Sequence, residues 1–157
     1  KLDKSYLVLN KHSFPYEEGK RFEVSLTDSK GRTISLESFK CFPAVGNVDA
    51  QILVVDRLYG IPNLCSSDMI SPKGMNGDSA VIVCPFDARE VRLKFGTIVG
   101  ENTIETSTLF SEHGDSGGLI VGPYGVLGIL SAGVGGLTYY IPMQSIENIY
   151  EDITNKE

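Results

Sequence analysis

Apolar residues in this chain come in short alternating or β-branched runs, each cut off by Gly, Pro, Asn or Asp. Strand side chains point to opposite faces with a period of two, so such runs predict half-buried strands. A first group covers Tyr6 to Leu9, Arg21 to Leu26, Arg32 to Leu36 and Gln51 to Val55. A second covers Ala80 to Cys84, Glu90 to Val99, Thr103 to Leu109, Leu119 to Val121, Val126 to Ser131 and Thr138 to Ile141. Turn-forming stretches such as "DSKG", "GMNGD" and "GPYG" separate them.

The pattern changes twice. Residues 66–78, "SSDMISPKGMNGD", lose periodicity and read as a linker between the two strand groups. At the end, Met143, Ile146, Ile149, Tyr150 and Ile153 recur at helical spacing and predict one amphipathic helix from about Met143 to Asn155. So dense a set of short strands implies an all-β barrel or sandwich. The expected organisation is a first β lobe over 1–65, a linker over 66–78, and a second β lobe over 79–157 that ends in the helix.

Composition narrows the function. The chain has 157 residues and a formal net charge of −6, which argues against a general nucleic-acid surface, because phosphate binding needs clustered Lys and Arg. Arg89, Arg92 and Lys94 alternate and read as the solvent face of a strand. No apolar run is long enough to cross a bilayer, and the N-terminus lacks a signal-peptide pattern. Cys41, Cys65 and Cys84 are an odd set without metal-ligand spacing, so buried thiols in a reducing compartment are expected. No metal or cofactor motif is present.

The candidate chemistry centres on "SEHGDSGGLIVG", with Ser116 between small residues. A serine hydroxyl is a poor nucleophile unless a base takes its proton and donors hold the oxyanion that forms. Only two histidines exist. His113, three residues before Ser116, would have to fold back over its own backbone to reach that hydroxyl. His12 follows the apolar strand of "SYLVLNKH" and is presented by a loop. Asp49 opens the apolar strand of "VDAQILVVDR", where a carboxylate could take the Nδ1 proton of a histidine and fix its tautomer. Asp56 closes the same strand and is the alternative acid, ~23 Å away at its far end. The order His12, Asp49, Ser116 is that of chymotrypsin-like enzymes.

These segments resemble the 3C-like polyprotein-processing proteases of picornaviruses and their relatives, within the chymotrypsin-like class. "YLVLNKH" is similar to their strand into the catalytic histidine, and "VDAQILVV" to the segment carrying their acid. "GDSGG" is similar to their Gly-x-Cys-Gly-Gly nucleophile turn. "GILSAGVGGLTYYIPM" is similar to their Gly-x-His-x-Ala-Gly segment and last strand.

The resemblance implies two β-barrel lobes with the active site between them. It implies His12, Asp49 and Ser116 as the triad, and the backbone N–H groups of Gly114 and Ser116 as the oxyanion hole. Ser131, Ala132 and Gly133 would pair with an extended substrate, while Ser111 and Leu130 would line the S1 pocket, with His113 near its rim. The implied partner is an extended peptide segment of a polyprotein, including the chain's own flanks, and the implied location is the host-cell cytoplasm.

The chain departs from the family in three places. Ser116 stands where the picornaviral members have cysteine, as either a serine branch or a Cys-to-Ser substitution. Leu130 replaces the usual S1 histidine, which removes the donor for a glutamine and shifts the expected P1 preference away from strict Gln. The short stretch before His12 implies a first lobe lacking its first strand. Two other functions stay open at this point: a cellular trypsin- or HtrA-type serine protease, and an inactive protease-fold binding module.

Overall fold

The computed structural model describes residues 4–14, 17, 24–27, 31–36, 38–59, 75–85, 91–106, 118–134 and 136–155. The chain divides into two compact units. One comprises Lys1–Pro62 with Ser145–Glu157, and the other Asn63–Gln144.

In the first unit, β1 (Lys4–Leu9), β4 (Lys40–Pro43) and β5 (Gln51–Asp56) form an antiparallel sheet in the order β1-β5-β4. β2 (Val24–Thr27) and β3 (Thr33–Leu36) form a separate two-stranded sheet. β5 is the middle strand, and Ile52, Leu53, Val54 and Val55 are all buried. A strand covered on both faces loses its apolar/polar alternation, which is why "QILVV" reads as a continuous run. β4 is absent from the sequence expectations: "KCFP" is short, ends in proline and shows too little alternation to register.

The C-terminal helix α1 (Met143–Asn155) has the bounds its spacing predicts. Sequence order assigns it to the second lobe, whereas residues 145–157 group with the first unit. Ile146, Ile149 and Ile153, one stripe of the helix, are buried, and Tyr150 meets Tyr6 of β1 edge-on with centroids 5.0 Å apart. Apolar periodicity reveals that a helix needs a partner, but not which surface supplies it.

The second unit is a closed barrel of β6 (Ser79–Pro85), β7 (Val91–Gly100), β8 (Thr103–Thr106), β9 (Leu119–Gly122), β10 (Gly125–Val134) and β11 (Leu137–Pro142), in the order β10-β11-β8-β7-β6-β9. Closure leaves these strands no exposed edge along the paired stretches and gathers their inward side chains into one core. Ala80, Ile82, Cys84, Ile98, Ile104, Ile120, Leu127, Leu130 and Tyr140 fill it. Met75 and Asp78 close a turn, and Gly77 and Asp78 already bond to Ile98 of β7, so the end of the expected linker belongs to the barrel. Its earlier part, 66–74, lies outside the described residues, as does 107–109 of the expected strand Thr103 to Leu109.

The outer face of β7 differs from expectation. Leu93, Phe95, Thr97 and Val99 are exposed, while Arg92 and Lys94 are half-buried and alternate in phase with the core residue Ile98. Barrel closure, not charge, sets which phase faces in.

Candidate active site

The antiparallel register of β1 and β5 assembles the site. Leu9 pairs with Gln51 and Lys4 with Asp56. As β1 runs out and β5 runs in, the residues just beyond that end must face one another. His12 lies just past β1, and Asp49 just before β5.

They meet through two contacts. The Nδ1 of His12 is 2.6 Å from Oδ2 of Asp49, and the backbone N–H of His12 donates to Oδ1 at 3.0 Å. An ionised carboxylate only accepts, so Nδ1 carries the proton and the Nε2 lone pair is left to act as a base. The two carboxylate oxygens therefore hold both the ring and the backbone of one residue. The His12 side chain is 50% exposed and that of Asp49 22%, so the ring remains reachable while its partner is largely sheltered. Asp56, the alternative acid, is instead paired with Lys4 at 2.9 Å at the far end of the ladder.

Three polar side chains that sequence reasoning missed support this pair. Asn10 is buried and donates through Nδ2 to the Asp49 carbonyl at 3.2 Å. Lys11 donates through Nζ to the carbonyls of Ala44, at 2.7 Å, and Gly46, at 3.1 Å, tying the loop that leads to Asp49 onto the turn that carries His12. Gly46 has a φ of 73°, a left-handed conformation that glycine adopts without steric cost. Gln51 is 2% exposed and donates to the carbonyls of Asn10 and Phe14. The available signal was a polar residue opening an otherwise apolar buried strand.

The remaining expected residues fall into two groups. Ser111, His113, Gly114 and Ser116 lie outside the described residues. Leu130, expected on the S1 wall, is 1% exposed and belongs to the barrel core. Inward phase on a barrel strand accounts for that position, since a leucine there is packing material.

Past Leu130, the register of β10 against β11 shifts, leaving Ser131 at a bulge and Ala132 exposed, with Ser131 and Gly133 half-buried. The β9 ladder along β10 ends at Leu119 with Ile129, so residues 131–134 run on beyond it. Of the cysteines, Cys84 is buried in the barrel core and Cys41 is half-buried, both as thiols, while Cys65 lies outside the described residues. Among the described residues, no three His, Cys, Asp or Glu side chains cluster as a metal site. No described helix is long and apolar enough to cross a membrane.

No protein-family model matches the chain, and no curated protein matches it in sequence. A solved structure does match. The serine endoprotease from Yersinia pestis superposes with a TM-score of 0.68 over 94% of this chain, at 20% identity. The fold is chymotrypsin-like. The match takes in 53% of the Yersinia chain, so this chain spans about half the length of that protein.

Proposed function

We propose that this chain is a serine endopeptidase in which Ser116 attacks the scissile carbonyl, His12 serves as base and then acid, and Asp49 orients His12. The observation that carries this reading is the doubly bonded His12–Asp49 pair with Nε2 left as the acceptor. It is supported by the serine-protease fold and by Gly-Asp-Ser-Gly-Gly around Ser116.

In the first step, the Ser116 Oγ–H bond gives its proton to Nε2 as the Oγ–carbon bond forms. The imidazolium is stabilised by Asp49 and then protonates the leaving amine. The backbone N–H groups of Gly114 and Ser116 serve as the oxyanion hole. Ser131, Ala132 and Gly133 bind the substrate as an added antiparallel strand, a role suited to a segment that extends past β9. Ser111 and His113 belong to the S1 region, which is selective for residues other than strict Gln.

On the resemblance of its motifs, the natural substrates are extended segments of a viral polyprotein, cut in the reducing host cytoplasm by a 3C-like enzyme. The likeness to a bacterial serine endoprotease favours a second reading, a cellular HtrA-type protease with the same triad.

The test is intact mass after a fluorophosphonate probe, run on the parent, Ser116→Ala and His12→Ala. Single-site labelling of the parent that both variants lose is the expected result. A folded parent that takes no label overturns the active-serine reading. Cleavage profiling on a peptide library then separates the two readings: cleavage confined to a few sequences supports the 3C-like one, and broad cleavage supports the HtrA-type one.

A further inference from the structure

The amide of Gln51 has a placement that neither the triad nor the fold requires. Gln51 opens β5 and stands two residues after Asp49. Its Nε2 donates to the Asn10 carbonyl at 3.1 Å and to the Phe14 carbonyl at 2.8 Å. Those two carbonyls lie two residues before and two residues after His12. One NH2 group therefore spans both ends of the turn that presents the histidine.

The other end of the amide is also engaged. Oε1 of Gln51 accepts the thiol proton of Cys41, with sulfur and oxygen 3.0 Å apart. Cys41 lies on β4, paired with Leu53 of β5, so the acceptor end is fixed by the neighbouring strand of the same sheet. A buried amide is costly unless its donors and acceptor are satisfied. Here both donors go to the histidine turn.

We infer that Gln51 is a positioning residue for His12, setting the height and tilt of its backbone so that Nδ1 meets Asp49 and Nε2 keeps the lone pair a base needs. The inference rests on the serine-endopeptidase reading for its functional consequence, although its structural content concerns the His12–Asp49 pair alone. Glutamine suits the task because it offers two N–H bonds in one plane. Glutamate has the same shape but, when ionised, would turn the carboxylate oxygen in place of Nε2 toward both carbonyl oxygens, with no proton to donate to either. Asn10 and Lys11 act on the Asp49 side of the pair, and Gln51 acts on the histidine side.

The first variant to examine is Gln51→Glu, with Cys41→Ala as a companion that removes only the support at Oε1. In the parent, the His12 Nδ1 proton held by Asp49 should give a far-downfield proton resonance. In Gln51→Glu that resonance should vanish or move, and kcat should fall on the order of 10²-fold with KM little changed, because small misplacements of a reacting group have effects of that size. Cys41→Ala should show a smaller change in the same direction.

A folded Gln51→Glu that keeps both the resonance and kcat overturns the inference while leaving the protease reading intact. If the parent proves inactive, the resonance still decides the positioning claim separately. If Gln51→Glu does not fold, the parent decides: slow exchange of both Gln51 side-chain amide protons, with through-bond couplings to the Asn10 and Phe14 carbonyls, supports the clamp. Fast exchange, as for a solvated amide, overturns it.

Discussion

Lys4 and Asp56 face each other across one end of the β1–β5 ladder, 2.9 Å apart, while the opposite end of the same ladder brings His12 to Asp49. One register thus gives the two carboxylates at either end of β5 unlike work. The Asp56 side chain is 83% exposed and pairs with a lysine side chain that is itself 44% exposed; Asp49 is mostly sheltered and holds an imidazole.

That difference yields the sharpest expectation for activity. Asp49→Asn keeps the shape of the site but can donate to Nδ1, which favours the tautomer whose Nε2 is already protonated. Turnover should fall by about 10⁴-fold. Asp56→Asn should leave turnover unchanged, since an exposed ion pair at the far end bears on nothing in the site. Fluorophosphonate labelling rates for the two variants would check this, and equal losses would reject Asp49 as the orienting acid.

Gly128 has no room for a side chain. A Cβ built there would collide with the carbonyl oxygen of Ile141 on the adjacent strand β11, a backbone atom inside the barrel ladder. Gly128→Ala should therefore destabilise the barrel by about 3 kcal/mol or more, because overpacking against backbone must be relieved by moving a strand. Gly122→Ala meets only the Leu127 side chain and should cost less. Urea unfolding midpoints of the two variants would rank them, and a Gly128→Ala protein as stable as the parent would refute the close approach.

Alkaline pH should loosen the fold in two stages. Burial pushes the Cys41 thiol above its ordinary value and the Tyr140 phenol above its own. In each case the folded pKa exceeds that of the unfolded chain. The contribution to stability is then fully present below the unfolded pKa and lost as pH rises through the folded one. Unfolding free energy should fall first as the thiol range is passed and again in the phenol range. Cys41→Ser should remove the first stage only. Denaturant titrations at stepped alkaline pH would show it, and an unchanged first stage in Cys41→Ser would assign that loss to another group.

The strand-rich class, most strand positions and the bounds of the last helix were legible in the chain, because side-chain periodicity is a local property of the backbone. The sequence also singled out His12 and Asp49, since residue type and position at strand mouths are written in the chain. Their meeting was a matter for the tertiary structure: only the pairing of Leu9 with Gln51 brings the ends of two distant strands together. The same holds for Leu130, a plausible pocket wall in sequence that barrel closure turns into core, and for α1, whose apolar stripe found its partner in the first unit. Gln51 went unread for a related reason. A polar residue opening an apolar strand marks itself as unusual, but its partners stay hidden until the fold brings two carbonyls from another loop to its amide.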